Sequence, residues 1–399
     1  MKRCTLVVVS ALIALVLAQG AGKPLSAQTA TRVDDHLVVH EWGTFTSIAG
    51  QQGVSVEWRP LAGASDLPTF VYTSDGVTSG RGLRSGRQCI KCNYEALVRM
   101  ETPVLYFYTD RETSVSLRVD FPKGKITEWY PQARLVYADA NNSSIDWGRF
   151  TVVPGAEPQL PVKQRESHYY PARETDAAPL RVCGARATEF EKFLFYRGVG
   201  NFDLPIAVRL EGEKVLLNNR GRSVIRNVVL FENRHGKVGY SIRNLETGDL
   251  SVERPALVQT IDSLQRDLQE ALMQQGLYEK EARAMLKTWR DSWFEEGVRV
   301  FYVLPRTLTD AVLQLSIDPI PSDLVRVLMA RTEIITPEME QAIAQEVARL
   351  TDSSSEVREQ ALKAIRVYGR FAEPVLQRIR ANTVDQETRS RIDKLLNKV

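Results

Sequence analysis

Apolar positions between about residues 34 and 255 recur in short runs and strict alternations, the periodicity of β-strands. DHLVVHEWGTFTSI is dense in β-branched and aromatic residues and stops near Gly50. TPVLYFY (102–108) is almost continuously apolar, as expected of a strand buried on both faces. SVSLRVDF alternates, with Val115, Leu117, Val119 and Phe121 on one side and Ser116, Arg118 and Asp120 on the other. Pro122 and Gly124 turn the chain into KITEWY. EKFLFYR, LPIAVRL, KVLLN, SVIRNVVLFEN and KVGYSIRNL read as further strands, the last joined to LSVERP by a hairpin-type turn at Glu246–Asp249. From Pro255 the period lengthens. Ile261, Leu264, Leu268 and Leu272, then Ala282, Met285, Trp289 and Trp293, predict two helices separated by Gly276. VRVFYVLP (298–305) returns to a strand, and LVRVLMARTEI (324–334) suits either strand or helix. Thr336-Pro337-Glu338 reads as a helix N-cap, a first-turn proline and an acidic first turn.

These elements predict an α+β fold: a β-rich, sandwich-like domain over 34–255, a helical hairpin plus strand segment packing on it over 256–335, and helices over 336–399. Residues 1–20 form a signal peptide. Lys2 and Arg3 precede an apolar run from Leu6 to Leu17, which is too short to span a membrane comfortably, and small residues at 18 and 20 permit cleavage after Gly20, or as late as Ala27. The mature chain is therefore expected to be exported, periplasmic or secreted, with no membrane span.

The tail, LTDSSSEVREQALKAIRVYGRFAEPVLQRIR, resembles a HEAT-type repeat. Asp352 and a serine-rich cap open a helix with Ala361, Leu362 and Ile365 inside, Gly369 ends it, and Ala372, Pro374, Val375 and Ile379 begin a second. The resemblance implies stacked helices of the kind that serve as interaction surfaces. The segments VVHEWGTFTS, METPVLYFY, ITEWYPQ, FLFYRGVGNFDLP and TWRDSWFEEGVRVFYVLPR resemble an uncharacterised family of exported bacterial proteins. That resemblance implies export and architecture, and no particular chemistry.

Composition narrows the function classes. The formal charge of +3 over 399 residues excludes a polybasic nucleic-acid coat, so no nucleic acid is expected as partner. The acid–base candidates are His40, Glu41, Glu128, Asp291, Glu295 and Glu296. On a regular strand His40 and Glu41 face opposite ways, so they cannot share one site. Glu295 and Glu296 end a helix against its dipole and call for compensation by Arg290, Arg299 or Arg306, or by a bound cation or substrate. Paired carboxylates would suit glycoside hydrolysis. Cys89 and Cys92 are half of a zinc or redox motif; Cys183 and His168 would complete a Cys3His set, and a disulfide from Cys89 or Cys92 to Cys183 is the simpler expectation in an oxidising compartment. No cofactor is assigned. The function expected is that of a non-catalytic binding or scaffold protein of the cell envelope, with another envelope protein or a polysaccharide as partner. The alternative is a hydrolase of an envelope or extracellular polymer.

Overall fold

Strand β1, Val33–Ala49, lies in the middle of the molecule because its sequence is apolar on both sides, so it needs cover on both faces. The structure, a computed structural model, describes residues 33–62, 66–74, 91–139, 141–163, 167–184 and 187–396. The signal-peptide expectation and Cys89 lie outside these residues.

Fifteen of the described strands form one mixed sheet. In chain order they begin with β1, β2 (Tyr72–Thr73), β3 (Val98–Tyr108), β4 (Thr113–Phe121), β5 (Gly124–Tyr130), β6 (Arg134–Asp139) and β7 (Asn142–Val152). β8 (Leu180–Cys183), β9 (Thr188–Glu191) and β10 (Leu194–Gly200) follow. β11 (Ile206–Glu211) and β12 (Lys214–Asn219) leave for a second sheet; β13 (Ile225–Arg234) and β14 (Lys237–Leu245) rejoin the first; β15 (Gly248–Glu253) completes the second. After helices α1 (Ile261–Gln274) and α2 (Glu279–Trp293) the large sheet receives β16 (Gly297–Val303), then α3 (Arg306–Val312), β17 (Gln314–Asp318) and β18 (Ile320–Ile334). The main path runs β14-β13-β16-β18-β1-β3-β10-β5-β7-β4-β17, and the small sheet β11-β12-β15.

Two differences from the sequence reading matter. The segment 256–335 does more than pack on the β-rich region: β18 pairs in parallel with β1 along nearly its whole length and β16 pairs with β18, so this late segment completes the centre of the sheet. The helix-or-strand ambiguity of 324–334 is settled by that pairing, which satisfies the backbone of β18 on both edges. The turn at 246–249 is also no hairpin. β14 stays beside β13 whereas β15 pairs with β12, from Lys214↔Glu253 to Asn219↔Gly248, so the turn carries the chain between sheets.

The alternation of β4 is expressed as read: Val115, Leu117, Val119 and Phe121 are buried. They join a core between the two sheets with Leu37, Val39 and Phe45 of β1 and Val208, Val215 and Leu217 of the small sheet, a sandwich-like layer. The opposite face carries a second core, in which Trp42, Val104, Phe195 and Met329 of the sheet meet Leu264, Leu268, Met285, Trp289 and Trp293 of α1 and α2. A third cluster seats the C-terminal helices α4 (Pro337–Ala348), α5 (Ser355–Val367), α6 (Ala372–Asn382) and α7 (Gln386–Leu396) against Ile48, Trp58 and Ile335. Thr336 caps α4 as read, its Oγ1 accepting from the Met339 N–H at 3.2 Å. The tail is also pinned by charge, Arg59 Nε donating to Glu373 Oε1 at 2.6 Å.

Candidate functional site

Strand alternation predicts which β1 residues face the helices, and registry then shows what lies beside them. His40, Trp42, Thr44, Thr46 and Ile48 share the helix-side face. Thr44 is level with Glu101 of β3 and Met329 of β18; Thr46 is level with Arg99 and Arg331; Ile48 is level with Glu333. Next door, Arg299 of β16 is level with Glu333, and on the far side Arg197 of β10 is level with Glu128 of β5. One face of six consecutive strands therefore carries a belt of charged and hydroxyl groups below the aromatic core. Arg299, Arg331, Glu333, Thr44, Thr46, Glu101, Arg197 and Glu128 are all buried.

The belt has two charged ends. At one, Glu333 receives Arg331 Nη2 at 2.7 Å and Arg370 Nε at 2.7 Å, with Arg299 Nε 3.8 Å away. Arg370 precedes α6, so a tail residue reaches the sheet here, and it also pairs with Glu295. Burial alone would raise the Glu333 carboxyl; the arginines Arg331, Arg370 and Arg299 overcome it and hold it down at about 2. Burial, with Arg331 and Arg370 close by, pulls the Arg299 guanidinium down to about 10. At the other end Glu128 takes Arg197 Nε at 3.2 Å, Lys91 Nζ and the Thr127 hydroxyl at 2.5 Å. Arg197 Nη1 reaches on to Asp66 at 2.7 Å. Burial opposes ionisation of Glu128, but Arg197 and Lys91 hold it at about 2, and Asp66 is lowered by Arg197 and Arg99 against its own burial.

Close backbone approach is needed to seat the Glu128 end. At Gly198, beside Arg197, an added Cβ would lie 1.9 Å from the Lys125 carbonyl oxygen of β5. Gly198→Ala is expected to force β10 and β5 apart and to cost about 1–3 kcal/mol, typical of overpacking, read as a lower urea midpoint at unchanged slope.

The residues singled out in the sequence fall in several places. Glu41 faces the sandwich core, where Tyr196 donates its hydroxyl at 2.5 Å and Arg326 its Nε at 2.5 Å. His40 faces α2, its Nδ1 2.8 Å from Glu281 Oε2, with Tyr278 and Tyr108 rings at 4.4 and 5.4 Å. The two therefore serve different layers, as the alternation requires. Glu295 is compensated as its helix-end position demands, by Arg299 at 3.3 Å, whose Nη2 also donates to the Glu296 carbonyl at 3.0 Å. Glu296 is exposed, 3.5 Å from His235, and Asp291 is exposed. Glu128 sits at the opposite end of the belt from Glu295; five strand spacings separate β5 from β16, roughly 24 Å. The carboxylates are thus not gathered across one cleft.

The cysteines require a correction. Cys183 is a free, exposed thiol and Cys92 is disulfide-bonded elsewhere, so the expected bridge from Cys89 or Cys92 to Cys183 is not formed. The Cys3His set with Cys89, Cys92, Cys183 and His168 is excluded on the same ground, because a disulfide sulfur is no thiolate ligand. His168 is occupied elsewhere: its Nδ1 lies 2.8 Å from the Thr288 carbonyl oxygen and its ring stacks on Trp289.

Sequence reading found Glu128 but missed Arg99, Glu101, Arg197, Arg331 and Glu333. Their signal was present as charges inside otherwise apolar strands, twice as Arg-x-Glu, in VRMETPVLYFY and LVRVLMARTEI. Spacing of two puts each pair on one face; only the pairing of both strands with β1 puts the two pairs together. No protein-family model and no curated protein matches this chain.

Proposed function

We propose that this is an exported, non-catalytic binding protein of the cell envelope, built from a sandwich-like sheet region with HEAT-like helices docked at one end. The observation that supports it is the pairing of the belt's carboxylates with cations. A carboxylic acid that donates a proton to a leaving group needs a raised value and a place facing the substrate. Glu128 is instead paired with Arg197 and Lys91, Asp66 with Arg197, and Glu333 with Arg331 and Arg370, and these cations lower all three carboxyls, the condition of groups that orient and recognise. Glu191 is raised by burial, but it is closed off by Arg173 Nη2 at 2.6 Å and the Tyr169 hydroxyl at 3.0 Å. No helix among the described residues is long and apolar enough to cross a membrane. The partner proposed is an envelope polysaccharide, with an envelope protein as the second choice.

The test is co-sedimentation of the mature chain with isolated envelope polysaccharide, scored together with release of reducing ends. Retention on the polymer without release is expected. Release that disappears in Glu128→Gln would replace this reading with the hydrolase one, and absence of retention would remove polysaccharide as the partner.

A further inference from the structure

The middle of the belt, between its two charged ends, holds five buried polar atoms with no hydrogen-bond partner among the described residues: Thr44 Oγ1, Thr46 Oγ1, Arg99 Nε, Glu101 Oε2 and Arg331 Nε. They belong to one patch on three adjacent strands, centred on Thr46, with Arg99 and Arg331 level with it on either side. Thr44, Thr46, Glu101 and Arg331 are at most 4% exposed. Buried polar atoms are almost always satisfied, and each one left without a partner costs about 1–3 kcal/mol. Five in one patch therefore call for a single explanation.

The in-strand glutamates fix how the arginines are presented. Arg331 gives Nη2 to Glu333 at 2.7 Å and Nη1 to Ser292 at 3.3 Å, which leaves Nε over. Arg99 Nε stands 3.3 Å from Glu101 Oε1, out of line for a hydrogen bond. The two arginine backbones flank β1 about 10 Å apart, close enough for both side chains to address one group above Thr46. Two cationic N–H donors and a hydroxyl are the donor set of an oxyanion site. Glu101 Oε2 adds an acceptor beside it, which would repel a bare anion but accept from an anion that carries a hydroxyl.

We propose that this patch binds the anionic group of a ligand, specifically an oxyanion bearing a hydroxyl donor, as in monohydrogen phosphate or a sugar acid. Arg99, Arg331 and Thr46 hold the charged oxygens, Glu101 accepts from the hydroxyl, and Thr44 adds a further hydrogen bond. Entry is from the Arg99 side, where the side chain is 24% exposed. This rests on the binding-protein reading above and names the ligand group.

The experiment is thermal unfolding and titration calorimetry of the mature protein with inorganic phosphate, glucuronate and sulfate, separately, in a buffer free of other oxyanions. Phosphate or glucuronate should raise Tm, and sulfate, which has no proton to give at neutral pH, should bind at least about tenfold more weakly. Thr46→Val keeps the shape of a strand residue and removes one orphan hydroxyl; it should weaken binding about tenfold, the worth of one charge-assisted hydrogen bond, while leaving the ligand-free Tm unchanged or higher. Arg99→Gln, at the partly exposed end, should weaken binding by at least as much. Absence of any response to phosphate and glucuronate in the unaltered protein overturns the proposal, as does an equal response in Thr46→Val. Retention on polysaccharide without small-anion binding would leave the general reading standing and sink this one; small-anion binding without retention would leave this one standing and remove polysaccharide as the partner.

Discussion

Glu333→Gln should lower the stability of the protein by about 3–5 kcal/mol, the usual cost of removing one partner from a buried ion pair. The substitution keeps the volume, so packing loss contributes little. It leaves Arg331 and Arg299, both buried, and Arg370 beside an amide with one acceptor oxygen in place of a charged, two-oxygen acceptor. Most of the loss comes from guanidinium groups left uncompensated in that buried setting. The pH dependence has a definite sign. The carboxyl's folded value, about 2, lies below its ordinary 4.5, so the unfolded chain takes up the proton first. Its stabilising contribution is complete above pH 4.5 and is lost as the pH falls towards 2. Urea unfolding at several pH values should therefore show the difference between the parent and Glu333→Gln shrinking across that window. A difference that stays constant would mean the carboxylate charge is not what holds these arginines. Because Arg370 is contributed by the C-terminal segment, the same variant should be cut more readily by protease within residues 337–396, while the sheet region resists.

How far such features can be read from sequence depends on the distance over which they are decided. The alternation of β4 is local and was legible residue by residue, because a half-buried strand writes its two faces into period two. The opposite orientation of His40 and Glu41 was legible for the same reason. Their partners were not: Glu281 lies 241 residues from His40 and Arg326 lies 285 from Glu41. The strand LVRVLMARTEI was ambiguous because its apolar pattern fits a buried helix or a buried strand equally, and the decision came from β1, almost three hundred residues earlier. The turn at 246–249 misled because its local chemistry is that of a hairpin, while the choice between sheets is made by β12. The belt shows the same division. Its charges stood out in apolar strands, yet the juxtaposition of two Arg-x-Glu pairs exists only once β3 and β18 flank β1.

Glu281→Ala is the second substitution expected to have a large effect, again about 3–5 kcal/mol, and it decides what His40 is for. Glu281 is fully buried in the first turn of α2. Its Oε2 meets His40 Nδ1 at 2.8 Å and accepts the Tyr278 backbone N–H at 2.7 Å; its Oε1 accepts the Tyr108 hydroxyl at 2.8 Å. One carboxylate thus caps a helix and ties it to β1 and β3. Truncation orphans a ring nitrogen, a phenol and a helix-end N–H together, where the rings of His40, Tyr108 and Tyr278 pack on one another. If His40 is a structural partner of this carboxylate, its own substitution must be coupled to that of Glu281. His40→Phe alone leaves a buried carboxylate short of a donor and Glu281→Leu alone leaves the ring nitrogen unpaired, whereas the two together replace the contact by apolar packing. The double variant should then be more stable than the sum of the single losses by about 0.5–3 kcal/mol, measured by denaturant unfolding in a double-mutant cycle. Simple additivity would show that the 2.8 Å contact contributes nothing to folding, and would return His40 to the pool of residues kept for chemistry.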